Sequence, residues 1–565
     1  MSCKVLIIGG VAAGAKTASR IKRRDPKADV TIIEQGEILS YAACGLPFFI
    51  EDLFEDYKEL TKTPVGVIRD INFFKNVKGV NVYTKTKAEK IDRTNKTVLA
   101  TNTETGAQQE FKYDKLVLAT GSYPFIPPIE GADLNNIFKL STIEDGLAIK
   151  EKTANSGIKK VVIVGAGLIG IEMIEAFKKH DIDVSVVEMQ GWPLPALLDP
   201  EMGYLVSAFL KSKGVNLLTS ETVVKFEGDS SGNVKKVITG NNELDADMVL
   251  MSIGVRPSTD LAKEANLKIG TTGAIEVNEY MQTSDPDIYA GGDCAENVHR
   301  LTGVKFFSPM GSTANKHGRT IADHITGLNT PFPGVLGTGI CQVFGYKIGR
   351  TGLSETDAIN QGYDVETVIT PAPDKPHFYP GSAPIIIKLV ADKRTAKIIG
   401  TQILGMGDVA KRVDVVVTAM SFGATAEDVF NLDLAYAPPF SPALDNIITA
   451  AHVMDNKLKG LARGISPLSV KKKIDNNEDF LFLDVRTPQE YEETRIPYPN
   501  VKLIPLGKLR GELESLPKNR EIITFCKISL RGYEAQRILD ANGFKDVRFM
   551  DGGILAWPFE KESGR

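Results

Sequence analysis

Cysteine is the residue type in this sequence best suited to redox chemistry, and the chain uses it sparingly. The cysteines are Cys3, Cys44, Cys294, Cys341 and Cys526, spread over 565 residues. Because they are few, odd in number and far apart, their spacing is not that of a disulfide framework. It is typical of a protein in a reducing compartment, where single thiols are kept for chemistry.

Two of the cysteines lie in segments that indicate a chemical role. The first is Cys44, within Ser40-Tyr-Ala-Ala-Cys44-Gly-Leu-Pro-Phe. The next cysteine along the chain is Cys294, so we expect no disulfide within the chain near Cys44. A lone thiol can instead cycle as a sulfenic acid or as a mixed disulfide with a small thiol. The alternative is a buried, inert cysteine, which is the commoner role for an isolated thiol.

The second such cysteine, Cys526, follows a predicted strand, Glu521-Ile-Ile-Thr-Phe525, and precedes Lys-Ile-Ser-Leu-Arg531. A cysteine between a strand and a helix faces backbone N–H groups. Those donors, together with Arg531, are expected to stabilise a thiolate and to hold an anionic persulfide.

Two glycine turns supply candidate nucleotide sites. The more complete one, Gly165-x-Gly167-x-x-Gly170, follows the apolar run Val161-Val-Ile-Val. Its glycines allow a tight turn, close approach of the backbone to a pyrophosphate, and close packing of the following helix. Glu188 lies 18 residues after Gly170, where an acid binds ribose hydroxyls. Residues 189–192 contain no arginine for a 2′-phosphate, so the segment predicts NADH more strongly than NADPH.

The other turn, Gly9-Gly10-Val11-Ala-Ala-Gly14, follows a strand that begins at Lys4. Val11 stands where the middle glycine is usual, but Glu34 lies 20 residues after Gly14, as a ribose-binding acid does. Two such units in one chain predict two bound nucleotides.

Two further segments distinguish the first unit from other nucleotide-binding units. Leu116-Val-Leu-Ala-Thr120-Gly121 is a strand that ends in Thr-Gly, and the segment 283–293 ends in Asp293, which could hold a ribityl chain. Together these segments resemble the FAD domain of the pyridine nucleotide-disulfide oxidoreductases, over residues 1–455. The resemblance implies FAD bound at Gly9, Val11, Gly14, Glu34, Thr120, Gly121 and Asp293. It also implies that the NADH unit is inserted within the FAD domain.

The Ser40-to-Cys44 pattern resembles coenzyme A disulfide reductases and NADH-dependent persulfide reductases. It also resembles NADH oxidases and NADH peroxidases, but the peroxidases place a histidine where this chain has Ala13. The reductase resemblance extends to the segments 312–319, 377–381 and 435–442. It implies substrate contacts from Ser40, Asn315, Arg319, Tyr379 and Tyr436, with Tyr436 supplied by the second subunit. Phe440 and Leu444 depart from the family's usual tyrosine and lysine.

The helix that follows the first turn carries a row of basic residues. They are Lys16, Arg20, Lys22 and Arg23. A basic rim of this kind could bind the phosphates of coenzyme A. A solvated helix face is an equally good interpretation of the same row.

The C-terminal segment, residues 466–565, resembles a single rhodanese domain. The resemblance rests on Leu483-Asp-Val-Arg-Thr-Pro-Gln-Glu-Tyr491, on the loop from Phe525 to Tyr533, and on Asp551-Gly-Gly-Ile-Leu-Ala-Trp557. The spacing Cys-x4-Arg is one residue shorter than in related phosphatases and suits a single sulfur. Ser529 stands where glycine is common, and Arg495 where histidine is usual. An inactive domain that serves only for binding is the alternative.

These segments predict an α/β protein with two Rossmann-like dinucleotide-binding domains, an α+β dimerisation domain and an α/β rhodanese domain. The expected bounds are residues 1–150 and 245–330 for FAD, 151–244 for NAD(P)H, 331–455 for dimerisation, 456–465 for a linker and 466–565 for rhodanese. The dimerisation domain implies a homodimer whose site is completed across the interface.

Composition excludes other classes. The net charge of −4 argues against nucleic-acid binding, and we see no signal peptide or membrane-spanning apolar run, which predicts a cytoplasmic enzyme. No metal site is predicted. The favoured function is an FAD-dependent NADH:coenzyme A disulfide or coenzyme A persulfide (polysulfide) reductase with a rhodanese sulfur carrier. The alternatives are an NADH oxidase using the same cysteine, and a flavin redox sensor whose rhodanese domain is a docking module.

Overall fold

The computed structural model describes residues 3–155 and 157–563 of the chain. They form two compact units. The first is Met1–Val187 with Thr222–Val335, and the second is Glu188–Glu221 with Leu336–Arg565.

The first unit is built around a five-stranded parallel sheet. In spatial order its strands are Ile288–Ala290, Lys115–Leu118, Lys4–Ile8, Asp29–Ile33 and Asn81–Tyr83. Residues 5–8 and 116–118 of the central strands are uninterrupted apolar runs because both faces of these strands are covered. Two helices that pack on each other, Ala13–Arg24 and Gly311–Ile325, contribute Ala18, Ile21 and Ile321 to the fully buried core. This order brings Gly9, Glu34 and Thr120 to the carboxyl ends of neighbouring strands, where such sheets bind ligands.

A second parallel sheet in this unit carries the other glycine turn. Its neighbouring strands are Asp183–Glu188, Lys160–Val164, Met248–Met251 and Ile137–Phe138. The helix Leu168–Lys179 follows the turn. Two of these strands lie outside the segment 151–244 that the sequence assigns to the NAD(P)H domain. The sheet therefore recruits chain from both sides of that segment, because parallel strands distant in sequence pair side by side.

The first unit also contains antiparallel strands and further helical segments. Its antiparallel strands are Thr86–Asp92, Thr97–Asn102, Gln108–Lys112, Ser122–Pro124, Val223–Gly228, Val234–Thr239, Glu243–Asp245, Val255–Pro257, Asn297–Val298 and Lys305–Phe306. Its other helical segments are Ala43–Gly45, Leu46–Ile50, Tyr57–Thr61, Phe73–Lys78, Ile143–Asn155 and Asp260–Glu264.

The second unit contains a five-stranded antiparallel sheet. In order, its strands are Gly339–Val343, Tyr346–Gly352, Ile398–Gly405, Pro384–Asp392 and Val365–Pro373. The helices beside it are Pro200–Ser212, Glu355–Asn360, Val409–Ser421, Ala426–Phe430 and Asn446–Leu458, and the strand Asn216–Thr219 follows the first of them. The fully buried ammonium of Lys388 joins these parts through Asp199 (2.9 Å), Glu201 (2.6 Å) and Glu355 (2.7 Å).

The same unit contains a five-stranded parallel sheet at its C-terminal end. In order, its strands are Gly464–Ile465, Val547–Met550, Glu521–Phe525, Phe480–Asp484 and Val501–Leu503. Its helical segments are Pro467–Asp475, Pro488–Glu493, Leu506–Leu509, Leu513–Ser515, Leu530–Ala541 and Gly553–Ala556. The mixed α/β class predicted from the sequence is confirmed.

The segment between the two sheets of the second unit differs from the linker expected at residues 456–465. The helix Asn446–Leu458 covers its first three residues, and the strand Gly464–Ile465 covers its last two. Polar residues and glycines in that segment indicate a turn, but the tertiary contacts described below hold it in place. Across the described residues, no helix is both long enough and apolar enough to cross a membrane.

Candidate active sites

The first glycine turn has no room for side chains. Gly9 has φ +103°, and a Cβ there would lie 2.2 Å from the carbonyl oxygen of Ala119. A Cβ on Gly14 would lie 1.9 Å from the carbonyl oxygen of Gly9. The helix Ala13–Arg24 can therefore start close against the strand, with its first backbone N–H groups at the turn, as an anionic pyrophosphate requires. Val11 lies in the turn and is half-buried, so the missing middle glycine leaves the turn intact.

Glu34 is placed at the end of the neighbouring strand, as the sequence predicts. Its Oε2 accepts a hydrogen bond from the backbone N–H of Gly10 (2.7 Å), and its Oε1 accepts one from Gly36 (2.8 Å). The carboxylate thus fixes the turn. Each oxygen has lone pairs left for a ribose hydroxyl.

Asp293 and the Thr120–Gly121 pair also meet in this unit. The Ser122 hydroxyl donates to Asp293 Oδ2 (2.9 Å), and the Thr120 hydroxyl donates to the carbonyl of Ser258 (2.7 Å). Burial raises the pKa of Asp293, which the Ser122 hydrogen bond partly opposes. A Cβ on Gly121, at φ +67°, would meet no described atom within 4 Å, so the space beside it is open. Sequence reasoning missed Ser122. Its position directly after Thr120-Gly121 was the one feature of the sequence that could have identified it.

Cys44 lies in a single helical turn, Ala43–Gly45, and its side chain is exposed. Within the described part of the chain, Cys44 forms no disulfide. Cys294, the next cysteine in sequence, is fully buried and its thiol donates to the carbonyls of Leu118 and Gly291. The backbone N–H of Ser40 donates to Gly10 (3.0 Å), which ties the cysteine segment to the first glycine turn. An exposed thiol tied to this turn can exchange with a small disulfide or persulfide.

The predicted substrate residues of this unit lie on the two packed helices. Lys16, Arg20 and Arg23 share one face of the first, and Asn315 and Arg319 share one face of the second. Asp323 draws three arginines together: it accepts from Arg20 (2.8 Å) and lies 3.6 Å from Arg319 and 4.0 Å from Arg24. Lys22 is directed elsewhere, since its ammonium donates to the carbonyls of Pro26 and Ala28. Asn315 donates to the carbonyl of Gly311 (2.8 Å).

The second glycine turn repeats the geometry of the first. Gly165 has φ +100°, and a Cβ on Gly170 would lie 2.2 Å from its carbonyl oxygen. Gly167 differs, because a Cβ there would approach one described atom within 4 Å, the Ser252 carbonyl oxygen at 3.9 Å. Burial raises the pKa of Glu172, on the helix that follows, to about 7. Glu188 ends the strand Asp183–Glu188 and accepts from the backbone N–H of Gln190 (2.8 Å).

Tyr379 and Tyr436 lie in two loops of the second unit, and Tyr436 is 55% exposed. Arg412, which is fully buried, connects these loops. It donates to the carbonyl of Asp374 (3.0 Å), where the Tyr379 loop begins, and to Asp445 (3.1 Å), where the Tyr436 loop ends. Burial acts to raise the pKa of Asp445, but the charge and hydrogen bond of Arg412, together with hydrogen bonds from Ile447 and Ser441, outweigh it and the pKa is lowered. Sequence reasoning missed Arg412, which carries no local motif.

The Cys526 loop lies between the strand Glu521–Phe525 and the helix Leu530–Ala541. Cys526 is fully buried, and its carbonyl accepts from the N–H of Ile554 (2.9 Å). Ser529, where glycine is common, has φ +93°, and its hydroxyl accepts from the N–H of Gly552 (2.5 Å). That side-chain bond gives serine a reason to occupy a position that its backbone conformation disfavours.

Arg531 lies beside the Cys526 thiol and is also held by a carboxylate. It forms two bonds of 2.7 Å to Glu490, which lower the pKa of Glu490 to about 2. Arg486 in turn donates to the Glu490 carbonyl (2.9 Å) and to the buried Asp484 (2.7 Å). The Asp-Val-Arg motif thus orients Glu490, and Glu490 orients Arg531. Arg495, the second departure, pairs with Glu562 at the surface (2.9 Å).

Sequence comparison decides the family. Residues 3–310 match the pyridine nucleotide-disulphide oxidoreductases, residues 339–448 match their dimerisation domain, and residues 466–559 match the rhodanese-like domain. The chain belongs to the pyridine nucleotide-disulphide oxidoreductase family. This oxidoreductase is therefore FAD- and NAD(P)H-dependent, as its family is.

Individual relatives extend the match to the whole chain. The NAD(P)H coenzyme A polysulfide/persulfide reductase of Pyrococcus horikoshii is 38% identical over 454 residues, which are 80% of this chain and 99% of that protein. The NAD-dependent persulfide reductase of A. fulgidus is 43% identical, with a TM-score of 0.93 over 98% of this chain and 100% of that one. The reduced CoADR-RHD of Bacillus anthracis is 32% identical, with a TM-score of 0.92 over 99% and 98%.

The residues of this oxidoreductase fit the two cofactors of its family. Each glycine turn leaves no space for a Cβ where strand and helix meet, and Glu34 and Glu188 end the strands that follow. The described residues hold no cluster of three or more histidine, cysteine, aspartate or glutamate side chains suited to a metal ion.

Proposed function

We propose that this protein is an NADH-dependent coenzyme A disulfide and coenzyme A persulfide (polysulfide) reductase that reacts through Cys44, with a rhodanese domain that carries sulfur on Cys526. The observation that carries the proposal is the combination of one exposed, unpaired Cys44 tied to the first glycine turn with a complete Cys526–Arg531 loop in the same chain. Similarity to persulfide reductases over nearly the full length supports it.

The proposed chemistry at Cys44 is thiol exchange. The Cys44 thiolate attacks the inner sulfur of a coenzyme A persulfide, forms a Cys44–coenzyme A mixed disulfide and releases hydrosulfide. With coenzyme A disulfide as substrate, the same attack releases coenzyme A thiolate. Bound FAD supplies the two electrons, taken from NADH, that return the mixed disulfide to the Cys44 thiolate and coenzyme A thiolate.

The basic residues on the two packed helices are proposed to bind the phosphates of coenzyme A. Arg20 is already paired with Asp323, so we assign direct phosphate contact first to Lys16, Arg23 and Arg319. Arg319 is 66% exposed and 3.6 Å from Asp323, and so it can turn toward a phosphate at little cost. Ser40 and Asn315 are proposed as polar contacts of the same substrate.

The rhodanese domain is proposed to deliver sulfur to the reductase. Cys526 would hold a terminal sulfur as a persulfide and transfer it to the thiolate of coenzyme A, which makes the substrate of Cys44. Both reactions in one chain raise the local concentration of the carried sulfur. We further propose a cytoplasmic homodimer, in which Tyr379 and Tyr436 from one subunit complete the site of the other.

The deciding experiment is anaerobic oxidation of NADH by the full-length holoenzyme with coenzyme A persulfide. We expect turnover with one hydrosulfide released per NADH. Cys44→Ser should abolish it, while Cys526→Ser should retain it because the persulfide is supplied ready-made. Cys3→Ser, which removes a partly exposed cysteine outside the proposed site, is the matched control and should leave the rate unchanged.

The two alternative functions give different results in the same assay. NADH consumption that requires O₂ and is not raised by the persulfide would establish an NADH oxidase. Slow turnover with every acceptor, together with a stable NADH-reduced enzyme, would establish a redox sensor. Either result would refute the reductase proposal.

A further inference from the structure

The chain that enters the rhodanese domain is bound on both sides. The N–H groups of Leu461 and Ala462 donate to the carbonyl of Asn456, which folds the segment back on the preceding helix. On the rhodanese side, the N–H of Arg463 donates to Gln536 (3.0 Å), and its side chain donates to the carbonyl of Val547 (3.0 Å). The residues expected to be a free linker thus form a fixed connection between the last helix of the dimerisation domain and the rhodanese domain, and this connection is called the joint.

A buried ion pair lies at the centre of this joint. Lys457, on the last turn of the helix Asn446–Leu458, donates to Asp551 Oδ2 at 2.6 Å. Their side chains are 3% and 4% exposed. The same ammonium donates to the carbonyl of Thr367 (2.6 Å) and lies 3.7 Å from Glu366. One lysine therefore connects the antiparallel sheet, the last helix beside it and the rhodanese domain.

Gly464 covers the ion pair. A Cβ at this position would lie 2.4 Å from Lys457 Cε and 2.5 Å from Asp551 Oδ1, so a side chain has no room. Within the described chain, Asp551 Oδ1 has no hydrogen-bond partner. Burial raises the pKa of Asp551 to about 6 although Lys457 opposes this, and Glu366 and Glu355 raise it further. The carboxylate therefore depends on a single cation.

Asp551 begins the segment that forms one wall of the Cys526 loop. The N–H of Gly552 donates to the Ser529 hydroxyl, and the N–H of Ile554 donates to the carbonyl of Cys526. The N–H of Leu555 donates to the carbonyl of Lys527 (3.2 Å). Any displacement of Asp551 is therefore passed directly to the backbone that surrounds the thiol.

We propose that Lys457 and Asp551 are positioning residues for the sulfur-carrying loop, through which the dimerisation domain fixes the geometry around Cys526. The inference rests on the proposed sulfur-carrier function, and it replaces a freely tethered rhodanese domain with a fixed one. Lys457 and Asp551 contact no substrate. They act through the 551–555 segment, whose N–H groups hold the loop.

The test uses full-length holoenzyme and the Lys457→Met variant, with thiosulfate and cyanide as probes. The Cys526 thiolate takes the outer sulfur of thiosulfate and releases sulfite, and cyanide then removes that sulfur as thiocyanate. We expect thiocyanate formation to fall about tenfold or more, since misplacement of a reacting group by about 1 Å can cost that much. Hydrogen exchange at residues 526–531 and 551–555 should accelerate. NADH oxidation through Cys44 with coenzyme A disulfide should stay within about twofold.

Two further variants keep the test decisive. Lys459→Met removes an exposed lysine two residues away, paired with Asp455, and should change neither thiocyanate formation nor exchange. The double variant Lys457→Met with Asp551→Leu replaces the pair by apolar side chains, which buried ion pairs commonly tolerate without loss of stability. A folded double variant that remains slow supports positioning by the ion pair. A double variant that regains the wild-type rate shows that packing alone suffices and overturns the proposal.

The outcomes also separate this inference from the function on which it rests. Wild-type enzyme that forms no persulfide on Cys526, by mass spectrometry, refutes the sulfur carrier. In that case, hydrogen exchange at residues 526–531 in Lys457→Met still shows whether Lys457 and Asp551 hold the Cys526 loop in place. If Lys457→Met leaves both exchange and thiocyanate formation unchanged, the positioning role is wrong.

Discussion

His317 shows how one buried residue can support from behind the loop that carries Asp293. Its Nδ1 accepts the backbone N–H of Gly292 (3.2 Å), next to Asp293, and its Nε2–H donates to Asn297 Oδ1 (2.9 Å). An imidazole with these two partners is neutral. It is fully buried, with the Phe332 ring against it at 4.6 Å. Burial lowers the pKa of His317 to about 3.

We predict that His317 makes the protein less stable in acid. The unfolded chain binds a proton on this residue below its ordinary pKa of 6.5, whereas the folded chain does not until about pH 3. The stabilisation from this residue is thus complete above pH 6.5 and falls as the pH drops, by about 1.4 kcal/mol per pH unit for one proton. His317→Gln keeps an acceptor and a donor but cannot titrate. The unfolding free energy of this variant should be measured in denaturant at pH 7, 6 and 5. It should fall less steeply with decreasing pH than that of wild type, and the difference in slope should approach the uptake of about one proton on unfolding.

The matched control is His377→Gln, because His377 is exposed. It should follow the wild-type pH dependence. Equal slopes for wild type and His317→Gln would mean that His317 is charged in the folded protein, and the hydrogen-bond assignment to Gly292 would then be wrong.

Ser529 illustrates what sequence can and cannot reveal about a single residue. The sequence identifies it as a departure from the usual glycine but gives no reason. The structure supplies one, since the hydroxyl accepts from Gly552, which lies 23 residues away in the chain. A partner at that separation leaves no periodic signal. The same holds for Glu490, whose bonds to Arg531 span 41 residues.

At the scale of elements, the strand–turn–helix units were the most predictable part of the fold. Both units combine an apolar strand, a glycine turn and a following strand that ends in an acid, and all of these signals are local. The sequence predicts that parallel sheets surround these units, but not which strands belong to each sheet. Strands such as Ile137–Phe138 and Met248–Met251 join the second sheet from outside the predicted domain because pairing depends on tertiary packing.

Segment 456–465 shows the opposite case. Its polar residues and glycines predict a linker, and nothing local indicates that Lys457 pairs with Asp551, 94 residues later. Arg412 is similar, because its partners lie 38 and 33 residues away. Interactions of this kind decide how loops are held, and composition alone does not identify them.

The glycines of the second turn allow packing and nucleotide contact to be tested separately. Gly167→Ala should fold normally, because its Cβ approaches one described atom, at 3.9 Å, and the backbone there is extended. If the nucleotide backbone approaches this glycine, the KM for NADH should rise about tenfold or more, equivalent to about 1.4 kcal/mol. FAD content and thermal stability should remain unchanged, and steady-state kinetics with purified holoenzyme measure the effect.

Gly170→Ala is the comparison variant. Its Cβ would lie 2.2 Å from the Gly165 carbonyl oxygen, so strand and helix must separate and the melting temperature should fall. An unchanged KM for NADH in Gly167→Ala would contradict the assignment of this turn to the nucleotide.

At the scale of the whole molecule, exposed aromatic and aliphatic side chains of the dimerisation domain offer a surface for the second copy proposed above. They are Phe378 (67% exposed), Phe422 (86%), Tyr436 (55%), Phe440 (66%) and Leu444 (58%). Three of them belong to the loop that Arg412 and Asp445 hold in place. Large apolar side chains concentrated in this way are typical of an interface. Phe440 and Leu444, which depart from the family's residues, are both among them.

If Tyr436 completes the site of the other subunit, two impaired variants should restore each other. We expect Cys44→Ser homodimers to be inactive and Tyr436→Phe homodimers to be slower by about tenfold. A heterodimer of the two variants has one site that carries both substitutions and one that carries neither. Co-expressed with different affinity tags and purified over both, it should show up to half of the wild-type rate of NADH oxidation with coenzyme A persulfide. If Tyr436 served the site of its own chain, every site of the heterodimer would carry one substitution, and mixing would give no gain. A rate no higher than half that of the Tyr436→Phe homodimer would therefore place this tyrosine in its own subunit's site and remove the main reason for an obligate dimer.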